Sequence, residues 1–143
     1  MPSAGGAFAF MDPLELTRAL VALETPTGRE QPAIDLLDGL LRRAGYRTTR
    51  QPVTPGRDNL YAYREPPELV FSTHVDTVPP HLTVTEDDTT IRGRGTCDAK
   101  GLAAAMVAAA ERLATGGERR VGLLFLVGAE NGSDGAKAAA DFG

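Results

Sequence analysis

An unbroken run of seven apolar residues, from Val121 to Val127, constrains the fold of this 143-residue chain more than any other feature. A strand with one solvated face alternates apolar and polar residues, whereas a strand in the middle of a parallel sheet is apolar throughout. The run therefore predicts a central strand covered on both faces. Segments with helical apolar spacing lie before and after it, and this alternation predicts a layered α/β domain.

The remaining elements follow from periodicity and from helix-ending residues. Asp12 and Pro13 favour a helix start, because aspartate caps helices and proline fits their first turn. The clearest helix spans 99–114 and places Leu102, Met106, Ala109 and Leu113 on one face. The pattern also predicts helices from residue 12 to a break at 24–28 and over 30–44 and 134–141, with strands over 46–53, 59–63, 68–73 and 120–127 and a hairpin over 82–92. Ser133 is the predicted cap of the last helix, and residues 1–11 are expected to be loose.

Charge and cysteine content exclude several classes of protein. The formal charge of −4 argues against a nucleic-acid partner, because phosphate binding needs a basic surface. The single cysteine, Cys97, excludes an internal disulfide and a cysteine-rich zinc module. The longest apolar run of the chain is too short to span a bilayer, and the start lacks a positively charged signal region. The sequence therefore predicts a cytoplasmic protein with no membrane partner.

Four polar residues follow or precede these apolar elements in a suggestive order. His74 and Asp76 end one predicted strand, Glu130 follows the central strand, and Asp98 opens a helix. Each alone has an ordinary explanation: a hydrogen-bonded loop histidine, a solvated acid or a helix cap. The functional crevice of an open α/β sheet lies at the carboxyl ends of its strands, so we expect them to meet. One imidazole and two carboxylates suit a divalent metal such as zinc.

Three motifs give this order a family resemblance. They are H-x-D-T-V-P from His74, G-R-G-x-x-D-x-K-G from Gly93, and Glu130 followed by x-G-S-x-G-A. Together they resemble the family of aminoacylase, acetylornithine deacetylase, succinyl-diaminopimelate desuccinylase and glutamate carboxypeptidase, which are co-catalytic zinc hydrolases. The resemblance implies a layered α/β/α zinc-peptidase-like catalytic domain. Residues 12–143 would be its N-terminal portion, truncated before the lid or dimerisation domain.

The resemblance also assigns roles to individual residues. His74 would bind one zinc, Glu130 would bind the other, and Asp98 would bridge the two. Asp76 would act as the catalytic-site carboxylate that orients His74, and the bond between Asp98 and Ala99 would be cis. The cofactor would be two zinc ions, with cobalt or manganese as alternatives. Each ion would keep only two ligands from this chain where catalytic zinc usually has three, so we expect weak binding.

Ala129 departs from the family pattern. The family has paired glutamates here, of which the first is the general base and the second corresponds to Glu130. A methyl group cannot accept a proton, and loss of a general base typically slows a reaction by about 10²–10⁴-fold. Asp134 is a possible substitute, although its position in the motif gives no reason to expect that role.

These observations predict a hydrolase that cleaves the amide bond of N-acyl amino acids or peptides, weak or inactive in this chain. The alternatives are a non-catalytic homologue that binds metal and ligand, and an inactive gene fragment. A homodimer is expected only if the missing domain exists. His81 is interpreted as an ordinary loop residue. Cys97 lies beside Asp98 and could touch the metal, although the family requires no thiolate there. Lys100 belongs to the second motif without an assigned role.

Overall fold

The computed structural model describes residues 12–142 as a mixed α/β domain. The predicted loose segment 1–11 lies outside the described residues. The helices are α1 (Pro13–Val21), α2 (Gln31–Arg43), α3 (Lys100–Thr115) and α4 (Asp134–Ala139), and a 3₁₀ turn follows over Ala140–Phe142. The strands are β1 (Arg47–Thr54), β2 (Arg57–Tyr63), β3 (Leu69–His74), β4 (Thr85–Glu86), β5 (Ile91–Arg92) and β6 (Val121–Leu126).

Four strands form one sheet in the order β1-β2-β6-β3, and β4 and β5 form a separate small ribbon. The pairs β1–β2 and β2–β6 are antiparallel, whereas β3 and β6 run parallel. In the parallel pair Phe71 lies opposite Leu123 and His74 lies opposite Leu126. Both strands therefore end at the same edge of the sheet, which is where the polar motifs begin.

The hydrophobic core lies between this sheet and helices α1, α2 and α3. Alternate residues of β2 and β6 point into it, and all four are fully buried: Leu60, Ala62, Leu123 and Phe125. The opposite face of β6 is covered less well in the described part of the chain, since Leu124 and Leu126 are partly exposed. The predicted central position of β6 is confirmed, but only one of its faces is fully covered.

The buried face of α3 differs from the one predicted. Leu102 is 55% exposed and Leu113 is 40% exposed. The buried residues are smaller and lie on another side of the helix: Ala103, Ala104, Val107 and Ala110, together with Lys100. The alanines allow α3 to approach α1 and the sheet closely. The larger side chains of Leu102 and Leu113 therefore lie at the exposed side of the helix. There Leu102 and Met106 line an apolar groove beside β3.

The two predicted helix caps have different outcomes. The Asp12 side chain accepts a hydrogen bond from the Leu14 N–H at 2.8 Å, as predicted. Ser133 precedes α4 with a left-handed backbone (φ 55°) and makes no side-chain cap. The α-helix also stops at Ala139 and continues as the 3₁₀ turn, where one helix was predicted. Within residues 12–142, no helix combines the length and apolar character that crossing a bilayer requires.

Truncation of Leu37 should test the core directly. This side chain is fully buried between α2 and the sheet, so Leu37→Ala should lower the free energy of unfolding by about 2–5 kcal/mol in urea denaturation. Leu102→Ala is the control, since an exposed site should change that free energy by no more than about 0.5 kcal/mol. Equal losses in the two variants would contradict this assignment of the core.

Candidate metal centre

The parallel pairing of β3 and β6 brings the three predicted metal ligands together. His74 is the last residue of β3, Glu130 lies in the loop after β6, and Asp98 lies two residues before α3. One ligand atom from each side chain lies within 4.8 Å of the others. His74 Nε2 is 2.9 Å from Asp98 Oδ1 and 3.4 Å from Glu130 Oε1. Across residues 12–142 no other group of three such side chains meets this criterion.

A tight backbone turn presents Asp98 to the site. The backbone N–H groups of Lys100 and Gly101 both donate to the carbonyl oxygen of Gly95, at 2.8 Å and 3.3 Å. A side chain at Gly101 would collide with the Thr96 carbonyl oxygen, so only glycine fits there. The Asp98–Ala99 peptide bond is cis, as the resemblance implied. Gly101 of the second motif is thus explained by this turn.

Lys100, which had no assigned role, ties this turn to the segment after α1. Its side chain is fully buried, and its Nζ donates to the Leu23 carbonyl oxygen at 2.7 Å. Burial lowers the pKa of Lys100 to about 8 because it disfavours the charged amine. Lys100 therefore anchors the N-terminus of α3 to the segment after α1, and it is not one of the three candidate metal ligands.

Asp76 is fully buried and organises the site through both its backbone and its side chain. Its carbonyl oxygen lies 3.0 Å from His74 Nδ1, closer than its carboxylate at 3.3 Å. The carboxylate accepts hydrogen bonds from the N–H groups of Ala129 and Glu130 and from the Thr27 hydroxyl, at 2.7–3.0 Å. The predicted orientation of His74 is therefore shared with the carbonyl, and the carboxylate also holds the Glu130 loop.

Hydrogen bonding shifts the pKa values of His74 and Asp76 in opposite directions. The hydrogen bond to Asp76 raises the pKa of His74 to about 9, against the opposing effect of burial, and Asp98 adds to the increase. Burial by itself would raise the pKa of Asp76. The hydrogen bonds from His74, Thr27 and the two amides outweigh it and hold that pKa far below the usual range. The mutual hydrogen bond between His74 and Asp76 therefore contributes to both shifts.

Ala129, at the predicted general-base position, contributes only its backbone to this arrangement. Its N–H donates to Asp76 Oδ1 at 3.0 Å, and its methyl group has no proton-accepting atom. The amide at residue 129 therefore holds the loop whichever side chain it carries.

Several supporting residues were missed by the sequence analysis. Thr27, Glu30, Arg57 and Asn59 all bond, directly or through a partner, to the loop that carries Glu130. Thr27 had been assigned to a helix break, Glu30 to a helix start and Asn59 to a strand start. Polar residues are common at such positions, so no local pattern indicated that Glu30 and Asn59 are fully buried.

The sequence pattern of peptidase family M20/M25/M40 matches residues 70–143, about half of the chain. The chain belongs to this family. A probable carboxypeptidase of Neosartorya fischeri is 34% identical over 151 residues, covering 87% of this chain and 34% of the relative. The M20 chain thus spans about a third of the length of the curated relatives it matches.

Solved structures agree with this family assignment. A tripeptidase from Staphylococcus aureus matches with a TM-score of 0.74 and 26% identity, over 88% of this chain and 38% of the tripeptidase. Human carnosine dipeptidase 1 shares the fold, with a TM-score of 0.68 and 21% identity, over 91% of this chain and 34% of its own. The M20 fold is therefore established for the described domain.

The shifted pKa of His74 predicts how stability depends on pH in the metal-free M20 chain. The pKa is about 9 when folded and 6.5 in a model histidine, so the folded state binds more protons between these values. Stability from this group should be complete below pH 6.5 and decline as the pH rises towards 9. Lys100, with its lowered pKa of about 8, acts in the opposite direction only above that pH.

Urea denaturation between pH 6.5 and 8 should therefore show a falling free energy of unfolding. His74→Gln should flatten that slope, and His81→Gln, at the other histidine, should retain it. A His74→Gln variant with the wild-type slope would show that His74 does not carry the effect.

Proposed function

We propose that residues 12–143 form the N-terminal portion of the catalytic domain of a metal-dependent hydrolase that cleaves the amide bond of small peptides or N-acyl amino acids. The observation that carries the proposal is the convergence of His74, Asp98 and Glu130 at the shared edge of β3 and β6. M20 membership supports the reaction class, and the relatives named as carboxypeptidase and tripeptidase favour peptides. A cytoplasmic location remains our prediction.

The donor set fits a divalent metal. Imidazole nitrogen and carboxylate oxygen are ordinary zinc ligands, and cobalt or manganese accepts the same atoms. Asp98 and Glu130 are exposed on the side from which an ion would enter, whereas His74 is half-buried. His74 and Asp98 would hold one ion and Asp98 and Glu130 a second. Because each ion would receive two ligands from these residues, we expect binding weaker than in a three-ligand site.

The residues of the chain would contribute positioning more than proton transfer. A bound metal would polarise the scissile carbonyl group and lower the pKa of a water molecule. The Asp76 carbonyl and carboxylate would keep the Nδ1 proton of His74 in place and leave Nε2 free as a ligand. Ala129 supplies no base, so we expect slow hydrolysis.

The same alanine favours a second candidate, a protein that binds metal and ligand without turnover. All the predicted ligands are retained while the base position carries a methyl group. An inactive gene fragment is the third reading. A test of metal binding separates the inactive fragment from the other two candidates. Restoring the base at residue 129 then separates the hydrolase from the non-catalytic binding protein.

Metal binding should stabilise the folded chain. Zinc or cobalt should raise the midpoint of thermal unfolding, because a ligand that binds only the folded state stabilises it by mass action. His74→Gln and Asp98→Asn should abolish most of the increase. Glu65→Gln, which removes an exposed acid paired with Arg119, should retain it. Equal increases in all four proteins would show that the metal binds elsewhere.

Placing a carboxylate at residue 129 should show whether the absent general base limits hydrolysis. In the zinc-loaded protein, Ala129→Glu should increase hydrolysis of a panel of dipeptides, tripeptides and N-acyl amino acids by about 10²–10⁴-fold. Ala129→Gln is the matched control, since it has nearly the same size and no basic oxygen. If wild type and Ala129→Glu hydrolyse the panel equally, the absent base is not the main defect.

A further inference from the structure

Four consecutive backbone N–H groups, from residues 127 to 130, donate to side-chain oxygens. Val127 donates to Asn59 Oδ1 at 3.0 Å, and Gly128 donates to Glu30 Oε2 at 2.9 Å. The amides of Ala129 and Glu130 donate to the two oxygens of Asp76. All three accepting residues are fully buried. We name Asn59, Glu30 and Asp76 the amide cradle.

We infer that the amide cradle fixes the Glu130 loop before any metal binds, and that Glu30, clamped by Arg57, is a positioning residue for the Glu130 carboxylate. Where this concerns metal affinity, it rests on the proposed function. A loop leaving a strand ordinarily satisfies its amides with water or backbone. Here each of the four amides donates to an oxygen of a buried side chain, so the peptide groups of the loop have little freedom to rotate.

Arg57 holds Glu30 in a bidentate ion pair. Its Nε and Nη2 atoms donate to the two carboxylate oxygens, both at 2.9 Å. Burial by itself would raise the pKa of Glu30, but the ion pair with Arg57 and hydrogen bonds from the backbone N–H groups of Glu30 and Gly28 outweigh it and lower that pKa, so the carboxylate remains ionised. A charged acceptor makes a stronger bond to the Gly128 amide than a neutral one. Because Arg57 fixes the Glu30 carboxylate, that carboxylate in turn restrains the Gly128 amide and the start of the loop.

Asn59 also connects the loop to α4 by hydrogen bonds. Its amide group donates to the carbonyl oxygen of Gly135 at 2.8 Å and to Gln51 Oε1 at 2.9 Å. A side chain at Gly135 would collide with the Val127 carbonyl oxygen and crowd Asn59 Oδ1. Asn59 of β2 thus bonds to both ends of the loop that carries Glu130, to Val127 at its start and to Gly135 at its end.

Stability alone does not explain a buried pair of this kind. Replacing buried ion pairs with apolar residues is often neutral or stabilising, so such a pair is weak evidence for a stabilising role. The chain offers a comparison in Asp38 of α2, also buried and paired with Arg42 and Arg50. The arginine partners of Asp38 lie on α2 and β1, away from the loop. Glu30 differs by bonding to the Gly128 amide.

The test compares Glu30→Gln with Asp38→Asn in the metal-free full chain. Both remove one buried negative charge that is paired with arginine. Amide hydrogen exchange followed by NMR should show that residues 128–130 exchange at least about tenfold faster in Glu30→Gln, because the loop opens locally. Asp38→Asn should leave those amides at the wild-type rate once the free energies of unfolding are taken into account.

Metal affinity provides the second measurement. Zinc binding, measured by competition with a chromophoric chelator, should weaken by about 10–100-fold in Glu30→Gln, as is typical when a partner behind a ligand is lost. Asp38→Asn should stay close to wild type. If Glu30→Gln fails to fold, Arg57→Lys replaces it, since lysine keeps the charge and loses the bidentate fork.

The outcomes separate this inference from the proposed function. Equal exchange rates at residues 128–130 in the two variants would overturn the inference whether or not zinc binds. Faster exchange in Glu30→Gln with undiminished zinc affinity would also overturn the positioning role. Absence of zinc binding in the wild type would instead contradict the proposed function, and the exchange comparison would still decide whether the amide cradle holds the loop.

Discussion

The buried carboxylate of Asp76 is the group on which the candidate metal centre depends. A buried charge is unfavourable unless it is paired and hydrogen-bonded. Asp76 obtains one partner, the His74 imidazole, from its own segment and the others from two distant segments: the Thr27 hydroxyl and the amides of residues 129 and 130. Satisfying this one group therefore brings the end of β3, the loop after β6 and the segment after α1 together.

The sheet makes this convergence possible. Because β3 and β6 are parallel, His74 and the Glu130 loop leave the sheet at the same edge. The antiparallel partner β2 runs the other way, so its first residues, Arg57 and Asn59, lie at that same edge. Chain direction explains why ligands come from the ends of two strands and supporting residues from the start of a third. The alanine-rich face of α3 then allows the turn carrying Asp98 to pack close by.

The sequence predicted those parts of the structure that depend on local pattern. The apolar run identified β6, and the three motifs identified residues that the fold brings together. The buried face of α3 was predicted wrongly, because large apolar side chains seemed the natural core and close packing favours the alanines instead. Glu30 and Asn59 were missed for another reason. The loop amides that donate to Asn59 and Glu30 are 68 and 98 residues away in the sequence, so no local signal distinguishes these two residues from solvated polar residues.

Under the proposed function, Ala129 separates metal binding from catalysis. The loop is held through the backbone N–H of residue 129, and that contact does not depend on the side chain. If residue 129 is the general-base position, as we propose, alanine there would remove the proton acceptor and keep this backbone contact to Asp76. In a site whose base was also a structural tether, the same exchange would release the loop. Under our proposal the amide cradle would assign the two tasks to different residues, so this chain would lack the base and keep the geometry of its candidate metal centre.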